Sequence, residues 1–304
     1  MRGFITHVWI VLFTFSGIRS SAKAQDLEPR AYNWVPVHAT FVQTGLNYST
    51  GEVVTDPTVP LKDVSAKVAS FSLGVGHAFS LFGLTAQFYG VLPVSKAQVN
   101  ALLNGQREEA NRSGTADTRF RLSILFRGAP ATNYRDFGKR NATRTILGTS
   151  LTVQAPTGQY FSDKLINLGN SRWAFKTEIA LSQPIKKRWL LDLYTAAWLF
   201  TKNNSFMGSS VKSQNPVGTV QLHASYTIKP YMWVAINTTY YAGGTTTVDG
   251  VPKNDRVSNF RLGVTVALPT GKSSALKLAF SKGAVVVAGT NFTSASLGWT
   301  YLWF

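Results

Sequence analysis

The sequence predicts an all-β protein: a transmembrane, antiparallel, up-and-down β-barrel of about twelve strands behind a cleaved signal peptide. Three observations carry this expectation. Long segments alternate apolar and polar residues with period two. Charged residues make up only 15% of the 304 residues, where a soluble chain carries about a quarter. No mature segment reaches the roughly 18 consecutive apolar residues that a spanning helix needs.

The targeting segment comes first. Arg2 supplies a positive start, Val8 to Gly17 is apolar, and Ala22-Lys23-Ala24 gives a small-x-small cleavage pattern. The expected organisation is a signal peptide over 1–24, a periplasmic N-terminal segment over 25–37 and a barrel over 38–304.

The alternation is clearest from Asn259 to Leu268. Phe260, Leu262, Val264, Val266 and Leu268 share one face, while Asn259, Arg261, Gly263, Thr265 and Ala267 share the other. Successive side chains of a strand point to opposite sides, so such a segment has one apolar and one polar wall. The pattern recurs in Asp117 to Arg127, in Thr219 to Tyr226 and in Ala275 to Ser281. Twelve segments centre near residues 44, 72, 88, 122, 149, 178, 194, 221, 236, 263, 278 and 298. Each is about ten residues long, enough for a tilted strand to cross a bilayer. No composition shift divides them, so the barrel is read as one domain.

The links alternate in length. Pro184-Ile185-Lys186-Lys187, Lys229-Pro230 and Thr270-Gly271-Lys272-Ser273 are short; polar links near 49–65, 94–115, 156–171, 201–215 and 243–257 are long. Outer-membrane barrels have short periplasmic turns and longer external loops. The link Gly128 to Ala142 breaks the rule: it should be periplasmic yet is long, with room for a short helix. Both termini are expected on the periplasmic side.

A soluble sandwich also alternates, with its apolar face inward. Three features favour the membrane. Ser70, Ser72, Gly74 and Gly76 suit a crowded wet lumen. Closure removes the edges so many strands would otherwise expose. Trp173, Trp189, Trp299 and Trp303 lie near strand ends on the lipid parity, where barrels carry aromatic girdles; Trp198 and Trp233 fall on the lumen parity. The last residues, Ser296 to Phe304, resemble the assembly signal of outer-membrane proteins, with Gly298, Tyr301, Trp303 and terminal Phe304 as its elements. Phe304 sits one place beyond the usual register.

Composition also excludes. There is no cysteine, so no disulfide or thiolate metal site. The net charge of +17 comes from cations scattered singly, without the basic run or recognition helix of a nucleic-acid binder. Gly271-Lys272-Ser273 lacks the earlier glycine of a phosphate loop, since position 266 is Val266. His38, His77 and His223 show no metal-ligand spacing, and no metal or cofactor is expected. A lipase needs a serine, a histidine and an orienting group together on the outer wall. His223 falls on the lumen parity, and His77 lies near a periplasmic turn, so no catalytic residue is assigned.

The polar faces point to a basic lumen. By parity it receives Arg119, Arg121, Arg127, Arg144, Arg172, Lys176, His223, Arg261 and Lys277, against Glu178 and Asp192. A ladder of ion pairs props such a barrel; cations left over favour anions in a pore. Tyr89, Tyr194 and Trp233 share the lumen parity and are candidates for an aromatic path. The expected function is passage of small solutes across a Gram-negative outer membrane. The alternatives are a plugged structural or binding barrel and an outer-membrane lipase. The expected partners are outer-membrane lipid, the barrel-assembly machinery through the C-terminal strand, and a small-molecule solute.

Several stretches resemble a known family. They are Asp26-Leu27-Glu28-Pro29-Arg30-Ala31-Tyr32, Ala155-Pro156-Thr157-Gly158-Gln159-Tyr160, Lys164 to Trp173, and Thr239-Tyr240-Tyr241-Ala242-Gly243-Gly244. The chain resembles the MetA-pathway of phenol degradation family of outer-membrane transporters. The resemblance implies a membrane barrel that takes up phenol-like aromatics.

Overall fold

The computed structural model describes residues 27–54, 61–103, 105–139, 144–164 and 166–304. The segment assigned to the signal peptide lies outside them. The barrel strands are β1 (Thr40–Val54), β2 (Leu61–Leu81), β3 (Leu84–Leu103), β4 (Gln106–Thr115), β5 (Arg119–Pro130), β6 (Ile146–Gln154), β7 (Ala174–Ile185) and β8 (Trp189–Phe200). They continue with β11 (Val217–Lys229), β12 (Met232–Gly243), β15 (Val257–Pro269), β16 (Ser274–Val285) and β17 (Gly289–Trp303). Every neighbouring pair is antiparallel. β1 pairs with β17 along its whole length, Thr40 opposite Trp303 and Val54 opposite Gly289. The β2–β3 pairing closes the ring.

The sheet has thirteen strands, but β4 and β5 are successive pieces of one membrane crossing. Both pair with β3: Thr115 faces Val94, and Arg119 faces Val91. Ala116 to Thr118 interrupt the strand between them. Twelve crossings result, one for each segment legible as alternating sequence.

The apolar faces point outward. Phe71, Leu73 and Val75 of β2, Phe88 and Leu92 of β3, and Leu262 and Val264 of β15 are all exposed. In a bilayer this surface is covered by lipid. On β2 the pattern inverts above the membrane, where Val64, Ala66 and Val68 turn inward. Ala97, Val99 and Ala101 do the same on β3. They pack with Val53, Phe292 and the loop residues Ile166 and Leu168. The barrel therefore carries an apolar outside at membrane depth and an apolar inside above it.

The external links are more ordered than the sequence suggested. The link near 94–115 is a hairpin of β3 and β4, and much of 49–65 continues β1 and β2. The links near 201–215 and 243–257 hold β9 (Asn203–Phe206), β10 (Ser210–Gln214), β13 (Thr246–Val248) and β14 (Val251–Pro252), a separate four-stranded sheet. These strands stand outside the lipid, so they lack the continuous apolar face that marks a membrane strand. Asp117, between β4 and β5, anchors the loop between β6 and β7. Its carboxylate accepts bonds from the Gly158 N–H, the Asn170 N–H and side-chain amide, and the Gln154 amide, all between 2.8 and 3.0 Å.

On the periplasmic side, the turns after β2, β7, β11 and β15 are short, as expected. The long link after β5 contains one short helix, α1 (Tyr134–Phe137). Ahead of β1, residues 27–37 do not stay in the periplasm, where the sequence placed them. Leu27 to Tyr32 run into the lumen, and the chain leaves again past Trp34. The Val37 N–H then binds the Thr132 carbonyl at 2.9 Å and the His38 N–H the Ala78 carbonyl at 2.7 Å.

Candidate functional site: the barrel lumen

The N-terminal wedge is seated by glycines. The Tyr32 ring fills the space that a side chain would need at Gly148, and Leu27 does the same at Gly263. Tyr32 is fully buried with Leu125, Ala129, Ala180 and Tyr194. Its ring meets Tyr194 edge-on at 5.1 Å.

Glu178 is the hub of this side of the lumen. It is 4% exposed and accepts from the Tyr32 hydroxyl at 2.9 Å, the Arg121 guanidinium at 3.2 Å and the Gln221 amide at 3.4 Å. Lys176 Nζ lies 2.8 Å from its other oxygen, and Arg121 also reaches Glu28 at 3.3 Å. A buried carboxylate among two cations and two neutral donors has all its lone pairs engaged, which its burial demands. Asp192 holds the wedge a second time. It accepts the Arg30 N–H at 3.1 Å and the Ser182 hydroxyl at 2.5 Å. The Arg30 guanidinium then lies 4.7 Å from the centre of the Trp233 ring.

The structure separates the residues expected in the lumen into five groups. Arg121, Lys176, Glu178, Asp192 and His223 belong to the filled wall. His223 is fully buried, with Nδ1 2.9 Å from the Asn237 side-chain oxygen. Arg261 is a brace and not a pore charge: its Nη2 donates to Ser281 on β16 and to Ser294 and the Phe292 carbonyl on β17, one strand further. Arg172 sits at the external end, bonded to Gln214 at 2.5 Å and over the Phe200 ring. Arg127 and Arg144 leave the lumen altogether. A register shift between Leu125 and Arg127 turns Arg127 outward, and Arg144 is exposed just ahead of β6. Arg119 and Lys277 remain. They line the chamber and form no hydrogen bond or ion pair with the described residues.

Among the aromatic candidates, Tyr194 is only 1% exposed and packed beneath the wedge, and Trp233 lies under Arg30. Tyr89 alone faces open space, and its partner Phe41 was not anticipated. The two rings are stacked, 5.8 Å apart and 17° from parallel. Each lies where a side chain at Gly74 or Gly76 would stand. Glycines read from sequence as a wet lumen wall are in fact seats for rings from the flanking strands. Glycine alternating with apolar residues on β2 was the available signal, but one strand cannot show what its neighbours lay across it.

The open chamber holds about 440 Å³ and runs along β17, β1, β2 and β3. Its wall there is small and polar: Gln43, Gly45, Ser70, Ser72, Ser296 and Gly298. Its lining includes the cations Arg30, Arg119, Arg121, Arg172, Lys176 and Lys277 against the acids Glu28, Asp117 and Glu178. That is an excess of three positive charges.

On the outer surface, Trp299, Tyr301 and Trp303 of β17 stack successively at 6.0 Å. Gly298 faces the lumen. Phe304 lies past the strand, with its ring 4.3 Å from that of Tyr134 in α1. Of the two lipase candidates, His77 is outside but near the periplasmic end, 2.9 Å from the Thr40 hydroxyl. His223 faces inward.

This fold has counterparts of known structure. An outer-membrane channel of the COG4313 group from Pseudomonas putida F1 superposes with a TM-score of 0.79 at 22% identity, over 91% of this chain and 100% of that one. The β-domain of the Bordetella autotransporter BrkA gives 0.53 at 13% identity, over 88% and 100%. The transport unit of the Escherichia coli autotransporter AIDA-I gives 0.54 at 10% identity, over 97% of each chain. No curated protein matches the sequence. With its lipid-facing apolar belt, aromatic rim and closed sheet of twelve crossings, this is an outer-membrane β-barrel of Gram-negative type. The family model described as "Putative MetA-pathway of phenol degradation" matches residues 42–302, and the chain belongs to that family.

Proposed function

We infer that the chain is an outer-membrane channel for the passive passage of small solutes, with a preference for anions. The observation that carries this reading is the charge of the chamber: six cations face three acids, and Arg119 and Lys277 have no partner among the described residues. Unpaired cations in a low-dielectric cleft concentrate anions and repel cations. The route follows the small-residue wall beside the wedge. On this reading residues 1–24 are removed on export, β17 with Phe304 serves as the assembly signal, and the chain has no catalytic role.

Planar-bilayer recording tests it. The expected result is a chloride-preferring current whose selectivity falls in Arg119→Ser and Lys277→Ser. Cation preference overturns the reading, and absence of current favours a plugged binding barrel. A second reading, uptake of aromatic compounds, is supported by the family description and by the Phe41–Tyr89 pair. Unchanged growth of a deletion strain on phenolic carbon sources counts against it.

A further inference from the structure

We propose that the chamber contains a subsite for aromatic carboxylates of benzoate type, formed by the Phe41–Tyr89 ring pair and Arg119. The proposal rests on the anion-channel reading and names a class of solute for it.

The ring pair supplies a flat apolar surface. Both rings are partly exposed and both line the chamber. They are held down rather than free to swing. The far edge of Phe41 occupies the side-chain space of Gly76, and the Tyr89 hydroxyl end occupies that of Gly74. A side chain at either glycine would lift the ring off the wall. The rings lie within 17° of parallel, so their faces point in nearly the same direction, and a third ring can stack against them. Aromatic rings favour offset stacking over random contact, so the surface selects for flat solutes.

Arg119 supplies the charge. It faces Gly74 across one intervening strand, through Val91, which places it one step along the barrel from Tyr89. It is within electrostatic reach of the Tyr89 ring. The neighbouring acids are committed elsewhere. Asp117 is consumed by its loop donors, and Glu28 lies 3.3 Å from Arg121. Gln43 and Gln87 flank the rings, line the chamber and bond to none of the described residues. A guanidinium that offers parallel N–H groups suits a carboxylate better than it suits a spherical ion. Glu28 also lines the chamber and repels a second carboxylate, so a bound carboxylate is oriented toward Arg119.

Ring and charge together discriminate. Phenol carries the ring but is neutral at ordinary pH, because a phenolic hydroxyl titrates near pH 10 while a carboxyl is ionised. Acetate carries the charge without the ring. Only the aromatic acid meets both halves.

The test is block of single-channel chloride current by benzoate, acetate and phenol, each added at the same concentration. Benzoate is expected to produce resolvable closures and the other two none. Arg119→Ser should weaken the block about tenfold, the scale of one lost hydrogen bond to a charged group. Tyr89→Ala should bring benzoate to the level of acetate. Heat-modifiable gel mobility establishes that each variant is folded. Equal block by benzoate and acetate overturns the aromatic half; equal block by benzoate and phenol overturns the charged half. If the barrel passes no current, the channel reading fails by itself. Calorimetry of benzoate with the detergent-solubilised barrel then reads the subsite directly. Heat that is lost in Arg119→Ser supports it, and absence of heat overturns it.

Discussion

The two sides of the lumen are built on opposite principles. From β5 to β12 the wall is crowded: an N-terminal wedge fills it, and Glu178 and Asp192 tie the wedge to several strands. From β17 to β2 it is lined by glycine and serine, and the space is left open. The first side uses its charges on one another. Beside the second, Arg119 at the start of β5 and Lys277 on β16 flank the open space and are left to whatever enters. The same residue types therefore serve stability on one wall and recognition on the other, and the location of the acids decides which.

The comparison can be broken first at Glu178. Glu178→Ala leaves Arg121 and Lys176 without their shared acid and Tyr32 with the Ser150 hydroxyl alone. Removing one member of a buried ion pair costs about 3–5 kcal/mol, so the unfolding midpoint in denaturant should fall strongly. An unchanged midpoint would mean that the wedge is not what holds this wall. Arg261→Ser should come next. It removes the bonds that one guanidinium nitrogen makes to β16 and β17, each worth about 1.5 kcal/mol for a charged donor, but no pore charge. Lower stability with unaltered ion selectivity is expected, the reverse of Arg119→Ser.

On the open side the effect should be on passage alone. Ser296→Phe places a ring in the chamber, and the single-channel conductance should drop with little change in unfolding. Tyr134→Ala removes the ring that covers Phe304. Pairs of this kind contribute about 1 kcal/mol, so a small loss of stability or slower barrel assembly in vitro is expected.

The smallest effect belongs to the external sheet. Asp249 is held below the usual carboxylate range by the Ser210 hydroxyl and by the Val211 N–H, 2.7 Å from its carboxylate. A depressed value means that the bonded form is fully present above the ordinary carboxylate range and is lost as pH falls through the lowered one. Protection of the Val211 amide, taken relative to its intrinsic exchange rate at each pH, should fall only at acid pH, with the barrel unaffected.

The membrane strands were legible because lipid imposes one rule on all of them: every second residue apolar. Phe260 to Leu268 states that rule without help from any neighbour. The lumen was legible only by parity, which places a side chain inside without saying what it meets. Parity put Arg261 and Arg119 in one class, and only the neighbouring strands make one a brace and the other free. It misplaced Arg127 because the register shift after Leu125 turns this residue to the other face. The wedge gave no periodic signal, since Leu27 to Tyr32 belong to no strand. Its Tyr32 and Trp34, aromatic in a segment assigned to the periplasm, were the trace it left.

The inversion along β2 works as a depth gauge written into the chain. Between Val68, which faces in, and Phe71, which faces out, the preferred surroundings of an apolar side chain change from protein to hydrocarbon. That step marks the outer boundary of the acyl layer to within a residue or two. About nine residues of β2 then rise beyond it, on the order of 30 Å of strand, which lifts this side of the barrel toward the sugars of the cell surface. A solute arriving from outside meets a tall parapet on one side of the mouth, and that parapet stands directly above the open wall.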